Sequence, residues 1–283
     1  MESQRGDTIS INTMFRQYEA QSLTPLVEVV SRGKREIFLC ESCLSFFSVH
    51  SDLEMHIETC PHVFWIPGDE IYRCPTRRFV VIEIDGRKPV CGAYTKRIAQ
   101  LAKMFLDEKT TLGDLHFFAF VTIFELDEYG YHFAGYFSKE WRKTVSCGNT
   151  LSCLMVLPPY RSKGYGSFLV EMSYEMSRIE GVPGTPERPL SSEGKRMFDR
   201  IWREELLRAV SSVDSKKGSV TLKSLSTETG MSVEDVAVAL HRLGVVFYLA
   251  GHNPLILMPG EVTDAARRAK RLDANSLVWV SLF

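Results

Sequence analysis

Residues 151–179 read LSCLMVLPPYRSKGYGSFLVEMSYEMSRI, and this stretch predicts a strand, a glycine loop and a helix in that order. The apolar run 151–157 is typical of a buried strand, and it ends at Pro158 because proline cannot continue a central ladder. Beyond the loop 161–166, apolar residues recur at the spacing of an amphipathic helix. That helical stripe consists of Phe168, Leu169, Met172, Met176 and Ile179. The succession indicates a mixed α/β fold.

The loop 161–166 has the features of an anion-binding turn. A helix N-terminus exposes unpaired N–H groups and the positive end of the helix dipole, and both favour a phosphate. Gly164 and Gly166 let the backbone approach the anion, and Arg161 and Lys163 add positive charge. The loop lacks the third glycine of a Rossmann fingerprint and the Gly-Lys-Ser/Thr of a Walker motif. A simple strand-to-helix turn is the alternative interpretation.

Upstream of this stretch the pattern alternates between strands and one helix. Residues 79–84 (FVVIEI) predict a strand, and apolar residues at helical spacing over 98–105 predict a helix. Residues 115–126 are rich in β-branched and aromatic side chains, which is typical of a long strand. The turn 127–130 (DEYG) joins it to a further strand over 131–137, so the pair predicts a hairpin.

The C-terminal part has a different character. A helix is predicted around 195–210, two shorter helices over 221–228 and 233–243, and two strands over 245–249 and 255–258. The capping residues of the helix pair are Gly230 in its turn, Ser232 and Asp235 at the second start, and Gly244 at its end. Helix, turn, helix and hairpin form a winged-helix-like layout.

Four potential metal ligands lie near the N-terminus as Cys40-x2-Cys43, twelve residues, then His56-x3-Cys60. A CxxC turn supplies two thiolates, and residues four apart on one helix face supply the other two ligands. The pattern predicts a closed, structural zinc site, since four protein ligands leave no open position. The alternative is a set of unrelated buried thiols beside a surface histidine.

The charge balance bounds the function. The 283 residues carry 34 lysines and arginines against 35 aspartates and glutamates, a net charge of −1. This argues against a main role in coating nucleic acid or an anionic membrane, although a local basic patch is compatible with it. No run reaches the roughly 18 apolar residues of a membrane span, so no membrane partner is expected. Seven cysteines, three of them in metal-like spacing, favour a reducing intracellular compartment.

Several ordered motifs resemble known acetyltransferases. The loop 161–166 is similar to the R/Q-x-x-G-x-G/A loop of GNAT enzymes, and the chain resembles the MYST family of histone acetyltransferases more narrowly. The resemblance runs from about residue 38 to 202 and more loosely to 279. The motifs that carry it are 67–73 (PGDEIYR), 101–110 (LAKMFLDEKT), 135–140 (GYFSKE), 157–166 (LPPYRSKGYG), 173–177 (SYEMS) and 184–191 (GTPERPLS).

The resemblance implies a fold class and a domain order. The fold class is α/β (α+β), with a GNAT-like acetyltransferase core, an N-terminal C2HC zinc finger and a C-terminal winged-helix-like helix–turn–helix region. The expected domains are a polar lead-in without a pattern over 1–34, the zinc finger over 35–66, the acetyl-CoA-binding core over 67–205 and the helix–turn–helix region over 206–283.

The resemblance also implies an activity, transfer of acetyl from acetyl-CoA to a lysine amine. Glu187 matches the family's catalytic glutamate and would act as general base, whereas its sequence context alone suggests a surface carboxylate. Cys153 matches the active-site cysteine, whose context alone suggests a buried strand residue. Either Cys153 carries the acetyl group or the amine attacks acetyl-CoA directly, and the sequence leaves both mechanisms open.

The matching positions assign cofactor contacts. Leu154 and Val156 would offer backbone groups to the pantetheine arm. The pyrophosphate would be held by Arg161, Lys163, Gly164, Tyr165, Gly166 and Ser167. Ser191 and Lys195 match later positions that contact the cofactor, and Lys109 matches the lysine that family members acetylate on themselves.

Substrate and location follow from the same resemblance. Histone tails, H4 first among them, or other basic proteins are the expected substrates, with partner subunits of a chromatin-modifying complex and residence in the nucleus. Two departures bear on partner choice and on the substrate lysine. The segment 141–150 is longer than usual, and a basic cluster at 267–271 stands where the family has a proline-bearing segment.

Two other functions compete. A nucleic-acid-binding regulator would use the zinc finger and the winged helix, with the basic cluster 267–271 contacting the phosphate backbone. This function would leave the glycine loop 161–166 and the GTPERP motif without a role. The finger helix over 51–58 also carries acidic residues rather than a basic recognition face. A catalytically weak complex subunit is the third possibility, and the presence of Glu187, Cys153 and both loop glycines argues against it.

Overall fold

The computed structural model describes residues 8–21, 35–106, 114–141, 148–212, 220–247, 255–256 and 272–280. The chain divides into two compact units. The first comprises Met1–Arg142, Cys153–Gly166 and Ser276–Val278. The second comprises Lys143–Ser152, Ser167–Asn275 and Trp279–Phe283. Among the described helices, none combines the length and the apolar character needed to cross a membrane.

The first unit begins with a small sheet and one helix. Its elements are β1 (Thr8–Asn12), β2 (Gln17–Gln21), β3 (Glu36–Leu39), β4 (Phe46–Phe47) and α1 (His50–Thr59). The described strands run in the order β2-β1-β3-β4, with β1 antiparallel to β2 and parallel to β3.

The N-terminal hairpin differs from expectation. The sequence predicts a polar lead-in without a hydrophobic pattern over 1–34, whereas residues 8–21 form two paired strands. Ile9 and Ile11 point inward and are 4% and 0% exposed, with less buried residues between them. An alternation of only two inward-facing apolar residues in a five-residue strand is too short to be recognised within a polar segment.

The second sheet forms the centre of the first unit. Its elements are β5 (Asp69–Cys74), β6 (Phe79–Asp85), β7 (Phe118–Asp127), β8 (Gly130–Glu140) and β9 (Leu154–Val156), with α2 (Pro89–Ala102) between β6 and β7. In the described residues it has five strands in sequence order, and every neighbouring pair is antiparallel. The predicted hairpin is confirmed as β7 and β8, which pair from Phe118↔Glu140 to Asp127↔Gly130.

The core lies on this sheet. All seven residues of β6 are buried, and α2 contacts that strand. The predicted helical stripe is confirmed at Ile98, Leu101 and Ala102, while Phe105 lies just beyond the helix end. Burial of each large apolar side chain contributes about 1.5–3 kcal/mol, so the central strands give the edge strand β9 a rigid support.

The second unit is mainly helical. Among its described residues are α3 (Tyr165–Ile179, whose first two residues belong to the first unit), α4 (Ser192–Ser212), α5 (Leu222–Thr229) and α6 (Val233–Leu243). A two-residue pair of antiparallel strands follows, β10 (Val246–Phe247) and β11 (Leu255–Ile256). The predicted helices and the two short strands are thus present, within the described parts of their ranges.

The caps explain the bounds of the helix pair. Gly230 and Gly244 have φ values of 73° and 65°, the left-handed conformation that ends α5 and α6. The Ser232 hydroxyl accepts a bond of 3.1 Å from the Asp235 N–H, as expected for an N-cap. The reciprocal capping box occurs one helix earlier, between Thr221 and Ser224.

Candidate functional site

The four predicted metal ligands come together in the first unit. The ligand atoms of Cys40, Cys43, His56 and Cys60 all lie within 4.8 Å of one another. The sulfurs of Cys40 and Cys60 are 3.9 Å apart, and tetrahedral Zn–S bonds place two sulfurs about 3.8 Å apart. Hydrogen bonds from Cys40 and then Cys60 lower the pKa of the Cys43 thiol. The hydrogen bonds that Cys40 shares with Cys43 and Cys60 raise the pKa of Cys40, because three sulfurs this close do not all lose their protons without a cation beside them. Zinc would supply that cation, so the donor set fits it.

One turn and one helix end direct the four ligand side chains toward a common point. Cys40 and Cys43 lie in a turn in which the Leu44 N–H donates to the Cys40 carbonyl at 2.9 Å. His56 lies on α1, and Cys60 is the C-cap of that helix. The two pairs converge because the turn and the helix end flank the same small buried core, which includes Leu53.

A buried ion network anchors the finger on β8. His132 is 3% exposed, and its Nδ1 and Nε2 face carboxylate oxygens of Glu41 and Asp127. Burial lowers the pKa of His132, but hydrogen bonds to Glu41 and Asp127 outweigh this and raise it. Burial likewise raises the pKa of Glu41, and bonds from His132 and Thr13 outweigh it and lower the value. Each ring nitrogen of His132 therefore faces a carboxylate oxygen, an arrangement that favours the protonated form of the ring. The sequence alone does not reveal this network, since its members are up to 91 residues apart.

The strand β9 has one backbone edge that faces away from its partner β8. It is the last strand of the described sheet, and the bonds Ser138 N–H to Cys153 C=O and Leu157 N–H to Ala134 C=O direct those residues toward β8. Because the direction alternates along a strand, the backbone groups of Leu154 and Val156 point away from β8. This is the geometry that an extended ligand needs for pairing.

The glycine loop follows β9 directly. Ser162 and Gly164 have φ values of 61° and 87°, and α3 begins at Tyr165. The Arg161 Nε donates to the Val156 carbonyl at 3.2 Å. The loop therefore doubles back on the outward-facing edge of β9 before the helix starts.

The ammonium group of Lys163 forms an ion pair within the first unit. Its Nζ lies 2.6 Å from a carboxylate oxygen of Glu125, and the Tyr165 hydroxyl donates to the same oxygen at 2.7 Å. Arg77 donates to the Lys163 carbonyl at 2.7 Å. An anion in the loop would thus meet backbone N–H groups, while Lys163 is neutralised by Glu125.

Three predicted cofactor residues lie in the second unit. The Ser167 hydroxyl is buried and accepts a bond of 2.5 Å from Arg200, a residue that sequence analysis did not select. Ser191 acts as a cap, since its hydroxyl accepts from the Gly194 N–H at 3.1 Å. Lys195 is exposed on the first turn of α4.

The loop that carries Glu187 has a fixed backbone. Within the second unit the Glu187 N–H donates to the Leu151 carbonyl at 3.0 Å, and the Thr150 N–H donates to the Thr185 carbonyl at 2.8 Å. Gly184 approaches the Gly148 carbonyl so closely that an added Cβ would lie 2.2 Å from its oxygen. Glu187 is half-buried, so it does not lie on a freely exposed loop.

Cys153 belongs to the first unit. Its side chain is buried with 7% exposure, and its N–H donates to the Ser138 hydroxyl at 3.1 Å. Leu151, the backbone partner of Glu187, precedes Cys153 by two positions in the chain.

The predicted autoacetylation residue Lys109 and the basic cluster 267–271 lie outside the described residues.

Comparison with known proteins assigns the family. The MOZ/SAS family model matches residues 65–279. A protein of Arabidopsis thaliana named histone acetyltransferase of the MYST family 1 is 38% identical over 249 residues, which are 86% of this chain and 54% of that protein. A histone acetyltransferase Tip60 homolog of Caenorhabditis elegans is 34% identical over 251 residues, covering 86% and 53%. The chain belongs to the MOZ/SAS family, and it spans about half the length of the curated relatives it matches.

Proposed function

We propose that this protein is a lysine N-acetyltransferase that transfers acetyl from acetyl-CoA to lysine side chains of histone tails. One observation carries the proposal. The family match over residues 65–279 includes each proposed catalytic and cofactor-binding residue, and the relatives are named histone acetyltransferases. The fixed backbone around Glu187 and the outward-facing edge of β9 support it.

The proposed cofactor seat is the edge of β9 with the loop after it. The outward backbone groups of Leu154 and Val156 would pair with the amide groups of the pantetheine arm. The pyrophosphate would lie on the N–H groups at the start of α3, where Gly164 and Gly166 leave room. The resemblance adds six further residues to the proposed set: Arg161, Lys163, Tyr165, Ser167, Ser191 and Lys195.

The proposed chemistry is amide formation. The lysine ammonium loses a proton to Glu187, and the amine nitrogen attacks the thioester carbon. A C–N bond forms, the C–S bond breaks, and coenzyme A leaves as the thiol with the second proton of the amine. An oxyanion develops on the acetyl oxygen during attack, and donors near it would stabilise that charge.

Gly164→Asp should weaken coenzyme A binding more than about tenfold, or 1.4 kcal/mol. The new carboxylate would meet the pyrophosphate, and φ of 87° adds strain for any residue with a Cβ. Calorimetry with coenzyme A measures the change. Gly181→Asp is a matched control, because Gly181 has φ of 68° and open space but lies after the end of α3. An unchanged affinity of Gly164→Asp would show that the loop does not hold the cofactor.

Cys153→Ala distinguishes the two mechanisms. If Cys153 carries the acetyl group, the variant should lose activity as severely as a variant without the general base. Wild type incubated with acetyl-CoA alone should then hold an acetyl group on Cys153, detectable by peptide mass spectrometry. Direct attack predicts a small loss and no adduct. We favour direct attack, because the side chain of Cys153, the residue directly before β9, is only 7% exposed.

The remaining assignments are proposals of the same kind. The zinc site would be structural, with acetyl transfer independent of the metal's chemistry. The C-terminal helix pair with β10 and β11 would form a winged-helix-like region, and the domain boundaries at residues 35, 67 and 206 stay predictions. H4 would be the preferred histone, with subunits of a chromatin complex as partners, autoacetylation at Lys109 and residence in the nucleus.

A further inference from the structure

The residue after Glu187 is tied to the C-terminal helix pair. Arg188 donates to the Oδ1 of Asp235 on α6 at 2.7 Å. Its guanidinium carbon lies 5.9 Å from the centre of the Trp202 ring on α4. The Trp202 Nε1 donates to the Tyr174 hydroxyl on α3 at 2.7 Å. One arginine thus links the loop to a chain of contacts across three helices of the second unit.

Backbone bonds hold the same loop on two sides. The Gly184 N–H donates to the Gly230 carbonyl at 2.9 Å, and the Ser232 N–H donates to the Gly184 carbonyl at 2.8 Å. On the other side the Glu187 N–H is bound by Leu151. Directly after these fixed points, the Arg188 side chain connects the residue next to Glu187 with α6.

The pair of Arg188 and Asp235 is asymmetric in burial. The Asp235 side chain is 4% exposed and that of Arg188 is 55% exposed. Within the described residues, the second carboxylate oxygen of Asp235 is buried without a hydrogen-bond partner. A buried carboxylate depends on a counter-charge, so the attraction draws Arg188, and the loop with it, onto α6. Pairs between two exposed side chains contribute far less.

We propose that Asp235 is a positioning residue for the general base, acting through Arg188. The inference rests on the proposed function of Glu187. Asp235 holds the side chain of the residue that follows Glu187. A shift of a catalytic group by about 1 Å can cost about 100-fold in rate. The helix pair that follows the catalytic core in sequence is therefore part of the support of the active site.

The test compares two Asp→Asn variants. Asp235→Asn should lower kcat by about tenfold, because a charge-assisted bond is roughly twice as strong as a neutral one, while coenzyme A affinity stays unchanged. Asp199→Asn is the matched control, since the ion pair of Asp199 joins α4 to Arg242 of α6 and not to Arg188. It should leave kcat unchanged. Arg188→Gln removes the same pair from its exposed side and serves if Asp235→Asn does not fold.

Hydrogen–deuterium exchange separates positioning from activity. In Asp235→Asn the Glu187 N–H should exchange faster, whereas the N–H groups inside α3 should keep the wild-type rate. Absence of acetyl transfer by the wild type would refute the proposed function, and the exchange measurement would still decide the role of Asp235. Wild-type kcat together with wild-type exchange at Glu187 in the folded variant would overturn the inference.

Discussion

Glu187→Gln should lower kcat for acetylation of a histone peptide by about 10²–10⁴-fold, with coenzyme A affinity close to that of the wild type. Glutamine keeps the size and shape of the side chain but cannot accept the proton of the lysine ammonium. The bond from the Glu187 N–H to Leu151 is a backbone contact, so the loop should keep its position in the variant. The loss should be partly relieved at high pH, where more of the substrate amine is already neutral.

The matched control is Glu228→Gln, the same substitution at an exposed position of α5. It should leave kcat and KM unchanged. Steady-state kinetics at neutral pH, with folding checked by circular dichroism, measure both variants. A Glu187→Gln enzyme that turns over near the wild-type rate would exclude Glu187 as the base. A loss confined to KM would instead make Glu187 a peptide-binding carboxylate.

Cys43→Ser should release the metal and lower the melting temperature by about 10 °C or more. Structural zinc contributes about 10–16 kcal/mol of binding free energy in isolated fingers, and each kcal/mol shifts the melting temperature of a domain of this size by about 2–4 °C. Without the cation, the cluster of thiols and His56 loses the interaction that holds it within 4.8 Å. Metal analysis and thermal melting of purified protein measure the two effects.

Cys74→Ser is the control for the zinc site. Cys74 lies at the end of β5, where its thiol is 3.4 Å from the Thr76 hydroxyl and outside the metal cluster. This variant should keep one zinc per chain and the wild-type melting temperature. Folded, active wild-type protein that carries no stoichiometric metal would contradict the assignment, and so would an unchanged melting temperature in Cys43→Ser.

The elements that could be predicted from the sequence are those with a hydrophobic periodicity sustained over many residues or with clear capping residues. The strands β6, β7 and β8 and the helix α6 follow from sustained periodicity and from caps such as Ser232 and Gly244. The strand β9 is shorter than the predicted 151–157, because its ladder with β8 covers three residues, and Cys153 and Leu157 add one backbone bond each at its ends. Burial alone does not distinguish a paired residue from an adjacent buried one.

In the candidate site, too, the contacts between residues close in sequence could be predicted and those between distant residues could not. Cys40, Cys43, His56 and Cys60 could be predicted because each pair lies within one turn or one helix end. The contacts of Lys163 with Glu125 and of Arg188 with Asp235 could not, since they join residues 38 and 47 positions apart. Such pairs depend on tertiary packing, which leaves no period in a single sequence. That Lys163 adds charge to the anion stays a prediction, and its ion pair with Glu125 is a contact that the sequence does not reveal.

The central claim, acetyl transfer to lysine, is tested most directly by incubating the zinc-loaded protein with radiolabelled acetyl-CoA and a histone H4 tail peptide. A second peptide with every lysine replaced by arginine controls for transfer to other groups. The account predicts label on the lysine peptide with wild type, label reduced about 10²–10⁴-fold with Glu187→Gln, and no label on the arginine peptide. Folded wild-type protein that binds coenzyme A but transfers no label to the H4 peptide or to other lysine-containing histone tails would contradict it.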